Sequence, residues 1–278
     1  MKLRREATTK TAWLRASMLV FTVCAFASAQ APSPARARRT APPAKQRVSP
    51  ISTEKEAQTQ LDAGQASYEQ GRYDEALRAY NKAVALSANQ PQTAATASLR
   101  IGNVYMSERL YDRALAAYER AIALNPNYAE AFNHLGEALG QSHQYNRALE
   151  AFSKAIVLDP QLLRARYNSG ITYGRLNNLR YAEFVFRVLV RDHPEYDLGC
   201  DGYAVTLAKS GRAKEAIPLH QKAISLNPNE PSYYYNLALS YLIVGDTAKA
   251  VEQQKKLQEL APEVASQLAS VIVKHQFH

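Results

Sequence analysis

Apolar residues along this chain recur at helical spacing. Ile101, Val104 and Tyr105 form one set, and Ala114, Leu115, Tyr118, Ala121 and Ile122 form the next after a polar break. Intervals of three and four put each set on one face of a helix, which predicts two amphipathic helices joined by a short turn. The pattern is then repeated. "GRYDEALRAYNKAVALSANQP" begins at Gly71 and "RLYDRALAAYERAIALNPN" at Arg109, and the alanine of this phrase returns at Ala76, Ala114, Ala148, Ala182, Ala216 and Ala250. The first interval is 38 residues and every later one is 34. Four residues after each alanine stand Tyr80, Tyr118, Phe152, Phe186, His220 and Gln254, and Pro126, Pro160, Pro194, Pro228 and Pro262 close five of the six units.

A second small residue precedes each alanine by twelve positions: Gly64, Gly102, Gly136, Gly170, Ala204 and Ala238. Small residues at matched places allow two helices to pack closely, and Gly71, Asn177, Gly211 and Gly245 fall where the turn between them needs a C-cap. This order of small residue, aromatic, Ala, aromatic, Ala and Pro over 34 positions resembles the tetratricopeptide repeat, across residues 57–264. The resemblance implies an all-α fold, a right-handed superhelical solenoid of six helix-turn-helix units. The units are expected at about 57–94, 95–128, 129–162, 163–196, 197–230 and 231–264, within a repeat domain covering 51–278. Solenoid ends need covering. Val264, Leu268, Val271, Ile272 and Val273 predict a capping helix at about 263–277, and Ser52, Thr53 and Glu56 resemble a capping box that opens the first helix near Ser52. His220 and Gln254 replace the second-helix aromatic, which predicts looser packing towards the C-terminus.

Charge changes the picture less than its total suggests. The formal net charge is +9, yet ten of the 34 basic residues and one of the 25 acidic residues lie in the first 50 positions, leaving 24 of each in the body. A neutral body lacks the basic stripe of a phosphate-binding surface, so no nucleic-acid partner is expected. Residues 1–29 read as a signal peptide: a basic start, an apolar core from Ala16 and an A-x-A site at Ala27 and Ala29. That core is shorter than the roughly 20 residues of a spanning helix, with an uncleaved N-terminal anchor as the alternative. Residues 30–50, rich in Pro, Ala and Arg, read as a disordered linker. Membrane contact is expected only through this linker or an uncleaved signal. The reading is of an exported bacterial protein of the periplasm or cell envelope.

Candidate chemistry is sparse. Phosphate-loop, dinucleotide, nucleophile-elbow and HExxH motifs do not occur. His275 and His278 are too few for a closed zinc site, and His134, His143, His193 and His220 are spread over three units. Cys200 stands where the resembling family buries an apolar residue, which predicts an inert core thiol. No catalytic residue, metal or cofactor is expected.

The resemblance implies a concave groove lined by the first helix of each unit. Its candidate binding residues are Arg100, Asn103, Asn133, His134, Glu137, Arg164, Tyr167, Asn168, Arg175 and Asn236, with Met106, Glu130, Asp201, Val205, Lys209, Tyr235, Leu239 and Leu242 on the same mapped face. Asparagines there can offer a donor and an acceptor to a peptide backbone, and arginines a forked donor pair to an anion. The family's clamp for chaperone tails is incomplete, because Leu99 stands where its leading lysine belongs. The expected function is a non-catalytic scaffold holding an extended peptide or partner helix, with an anionic cell-wall or polysaccharide ligand as the alternative.

Overall fold

The computed structural model describes residues 50–276. The expected signal peptide, the expected linker up to residue 49, and His278 lie outside the described residues. The described residues hold thirteen α-helices and no strand, six antiparallel pairs and a last helix. The pairs are α1 (Pro50–Glu69) with α2 (Tyr73–Leu86), α3 (Pro91–Ser107) with α4 (Tyr111–Leu124), and α5 (Ala129–Gln141) with α6 (Tyr145–Leu158). They continue as α7 (Leu163–Arg175) with α8 (Leu179–Asp192), α9 (Asp197–Lys209) with α10 (Ala213–Leu226), and α11 (Pro231–Ile243) with α12 (Thr247–Leu260), closed by α13 (Pro262–Gln276). Each helix packs on the one before and the one after it, so the array is an all-α solenoid.

The first four pairs close on the same contact. Gly64, Gly102, Gly136 and Gly170 lie under the rings of Tyr80, Tyr118, Phe152 and Phe186 in the partner helix. A Cβ added to Gly102 would stand 2.4 Å from Tyr118 Cε1, and one added to Gly136 would stand 2.5 Å from Phe152 Cε1. Only a residue without a side chain lets the ring lie that close. Tyr80, Tyr118 and Phe152 are flanked by buried alanines one turn away on either side, such as Ala114 and Ala121 around Tyr118, and Phe186 by Ala182 and Leu189.

The turn inside each pair is equally uniform. The residue three past the last helical position donates back across the helix end, as in Leu110 N–H to the Tyr105 carbonyl (2.8 Å) and Gln144 N–H to the Leu139 carbonyl (2.8 Å). This closure requires one left-handed residue. Gly71, Asn177, Gly211 and Gly245 supply it as expected, while Arg109 (φ 60°) and His143 (φ 61°) supply it in the two pairs where the sequence offers no glycine or asparagine.

Three expectations are corrected. α1 begins at Pro50, ahead of the expected cap at Ser52, because proline is tolerated in a first turn. Val273 is half exposed, whereas Leu268 and Ile272 are buried as expected, with Ala265 beside them. Packing does not loosen at the fifth pair. His220 takes the ring's place wholly buried, and its Nδ1 lies 2.7 Å from Asp201 Oδ1, while its Nε2 has no hydrogen-bond partner among the described residues. The extra residues of the first unit also find a place: α3 has 17 residues where α5 has 13, so the insertion is one added helical turn and the later register is preserved.

Two outcomes follow for urea unfolding of the full chain. Asp201→Ala leaves His220 buried without either partner and is expected to cost about 1–3 kcal/mol, whereas Asp192→Ala, in an exposed pair with Arg191, leaves the midpoint unchanged. Arg109→Gly removes a left-handed side-chain-bearing residue and is expected to raise stability by about 1 kcal/mol.

Candidate functional site

The first helices of successive pairs (α1, α3, α5, α7, α9, α11) approach one another, whereas no two second helices do among the described residues. Curvature therefore closes on the first-helix side, and the groove floor is the face those six helices share. Residues spaced i, i+3, i+7 and i+11 along each helix line it.

At its middle the floor is a bonded network. Glu137 Oε1 accepts from Asn133 Nδ2 (3.1 Å) and Asn168 Nδ2 (2.7 Å), and Glu137 Oε2 lies 3.0 Å from His134 Nδ1. Asn168 Nδ2 also donates to Asn133 Oδ1 across the α5–α7 boundary, at 3.1 Å. The His134 ring stacks on Tyr118, whose hydroxyl donates to Asn103 Oδ1 at 2.8 Å. Burial alone would push the Glu137 carboxyl up, but the hydrogen bonds from His134, Asn168 and Asn133 together with the nearby imidazole hold it below its ordinary value. Burial also pushes the Tyr118 hydroxyl far up, with Glu137 adding to the shift, so it remains a donor.

The next stretch repeats the device with other residues. Asp201 Oδ1 faces His220, and Asp201 Oδ2 accepts from Asn236 Nδ2 at 2.9 Å. Asp197 Oδ2 accepts from the Tyr233 hydroxyl (2.9 Å) and Asn227 Nδ2 (3.2 Å). Tyr167 sits between Phe186 and Tyr196, and burial, with Asp201 nearby, pushes its hydroxyl up to about 12. Near the N-terminal end, a polar cleft of about 330 Å³ is lined by Gln58, Asp62, Gln65, Gln92, Thr96 and Arg100.

The mapped candidates thus divide by accessibility. His134, Glu137, Tyr167, Asn168 and Asn236 are partly exposed and held by neighbours, while Arg100, Arg164 and Arg175 are exposed. Arg100 and Arg164 have no carboxylate partner among the described residues, and Arg175 donates weakly to the Gly140 carbonyl at 3.4 Å. Asn133 is buried at 2%, beneath the face rather than on it, and Asn103 is tied to Tyr118. Leu242, mapped to the floor, is buried at 3% in the α11–α13 core. The sequence marked His220 only as a replaced aromatic and gave no sign of its bond to Asp201, although Gly and aromatic give way together at Ala204 and His220, which is the trace such a replacement leaves. Cys200 is fully buried, and burial raises its thiol.

Glu137 makes stability depend on pH in a direction set by its lowered pKa. Its contribution is present above the ordinary value of 4.5 and is lost as pH falls through the lower folded value. Urea midpoints measured between pH 7 and pH 3 should fall more steeply on the acid side for the natural chain than for Glu137→Gln, which has no carboxylate to protonate.

A family model described as the cilia and flagella-associated protein 70 C-terminal domain matches residues 6–165, more than half of the chain, and a tetratricopeptide repeat model matches residues 221–252. No curated protein matches. Among solved structures, PilW, a type IV pilus biogenesis factor, has a TM-score of 0.66 at 19% identity, over 77% of this chain and 98% of that one. Pseudomonas aeruginosa PilF has a TM-score of 0.64 at 17% identity, over 78% and 98%. A thermophilic tetratricopeptide repeat protein of Thermus thermophilus has a TM-score of 0.58 at 25% identity, over 65% and 100%. Among the described residues no helix is long and apolar enough to cross a membrane. Repeat register, glycine-ring closure and these matches agree: the chain belongs to the tetratricopeptide repeat family.

Proposed function

We propose that the protein is a non-catalytic scaffold that holds a segment of a partner protein in the groove lined by α1, α3, α5, α7, α9 and α11, within an exported cell-envelope assembly. The fold supports a protein or peptide partner. The observation that carries the reading is the state of the groove's polar groups. Asn133, Asn168 and Glu137 fix one another before any ligand arrives, so binding costs little ordering of the floor. His134, Asn168 and Asn236 keep partly exposed faces that can meet a chain's own amides and carbonyls. The export setting rests on the basic, apolar and A-x-A sequence of residues 1–29.

A second reading, an anionic cell-wall or polysaccharide ligand, draws on Arg100 and Arg164, which have no acidic partner among the described residues. Salt separates the two, because contacts made only by exposed charges are screened at high ionic strength.

Affinity capture with the full chain tests the proposal. Three baits are compared: the natural chain, a groove variant (Arg100→Ala, Asn168→Ala, Asn236→Ala) and an outer-face variant (Glu119→Ala, Arg147→Ala, Lys214→Ala). A protein held by the natural chain and the outer-face variant but lost from the groove variant is the expected result. Equal capture by all three would move the interface off the groove. Salt-sensitive binding of purified cell-wall polymer with no protein captured would favour the second reading.

A further inference from the structure

The C-terminal half of the groove differs from the rest in what it leaves free. Ile171, Val205 and Leu239 hold one register position in α7, α9 and α11, where α3 and α5 carry Asn103 and Glu137, so at this position the floor turns from polar to apolar after α5. All three are partly exposed. Arg164 stands at the start of α7 on one side of this strip, and Arg175 and Lys209 stand in the last turns of α7 and α9 on the other. Two of the acids nearby are engaged, Asp201 with His220 and Asn236 and Asp197 with Tyr233 and Asn227, while Glu130, at the register position of Arg164 in α5, is exposed. Arg164 and Lys209 have no acidic partner among the described residues, and Arg175 reaches only a backbone carbonyl. The result is an apolar strip across α7, α9 and α11 with Arg164 on one edge and Arg175 and Lys209 on the other.

We propose that this stretch binds an amphipathic helix with acidic flanks, its apolar stripe on Ile171, Val205 and Leu239 and its carboxylates towards Arg164 on one rim and Arg175 and Lys209 on the other. This rests on the groove reading above and narrows it to one kind of partner. Geometry selects a helix over an extended strand. Arg164 and Arg175 are eleven residues apart on one helix, about 16 Å, and a helix of about 10–12 Å diameter fills that width with both rims in reach of its flanks. A single strand turns its side chains alternately to two opposite faces, so it cannot set an apolar stripe on the strip and carboxylates towards both rims at once. The strip crosses two helix-to-helix steps of about 8–10 Å each, the length of roughly 12 helical residues. An anionic polysaccharide could meet the rims but would gain nothing from covering the strip.

The test uses the full chain and a fluorescein-labelled synthetic helical peptide of roughly 16 residues, with leucines spaced three and four apart and glutamates on the flanks. A twin peptide carries lysine in place of each glutamate. Fluorescence anisotropy is expected to show the glutamate peptide binding at least about tenfold tighter than its twin. Leu239→Asp is expected to weaken that binding about tenfold or more. Arg164→Glu with Lys209→Glu, both exposed and so tolerated by the fold, is expected to abolish or invert the preference. Equal binding of the twins overturns the proposal. So does glutamate-peptide binding that survives both the Leu239→Asp and the double charge reversal, which would place it on the basic residues 30–49. If the peptide fails while the groove variant still loses its captured protein, this inference falls and the scaffold reading stands; if that variant keeps its capture, both fall.

Discussion

A ring lying against a glycine is the contact on which the rest of this molecule depends. It brings the two helices of a pair closer than any side chain at the glycine would permit, and it does so at Gly64, Gly102, Gly136 and Gly170 in turn. Because the pairs share this spacing, their first helices approach one another in a row while their second helices stay apart, and a groove results without any residue being dedicated to making one. The fifth pair reaches the same end by other means. A buried imidazole held by Asp201 replaces a ring held by dispersion, and Asp201 in turn holds Asn236 on the groove floor. Core and site therefore share a residue in the second half of the array.

That sharing shapes what the groove can offer. Amides and carboxylates at its middle are largely committed to one another, so they supply a rigid polar surface rather than a set of free hands. The cations are the uncommitted groups. Arg100, Arg164 and Lys209 carry charge that the described residues do not neutralise, over a floor that at the register position of Glu137 changes to aliphatic between α5 and α7. Directionality follows, since a partner lying along the groove meets different chemistry at its two ends.

Much of the fold was legible in the sequence because it is written as a repeat. The 34-residue spacing, the glycine and ring positions and four of the six left-handed turn residues could be read directly. Arg109 and His143 could not, since arginine has no such preference, histidine adopts a positive φ less readily than glycine, and the surrounding helix ends impose it. The start of α1 at Pro50 escaped notice because a capping box two residues later resembled a start equally well. On the site, register placed Asn133 and Leu242 on the groove, but register assigns a face and not a depth, and the stacking of neighbouring units buries both. Which floor residues bond to each other depends on how adjacent units stack, which no single unit's sequence contains.

A double-mutant cycle at Gly136 and Phe152 tests the central claim most directly. Gly136→Ala alone places a Cβ 2.5 Å from the ring and should destabilise the array by about 1–3 kcal/mol. In a chain already carrying Phe152→Ala, the same change should become neutral or stabilising, because alanine is the better helix former once the ring is gone. If Gly136→Ala costs the same with and without the Phe152 ring, the glycine serves something other than the ring, and the account of how this solenoid is spaced is wrong.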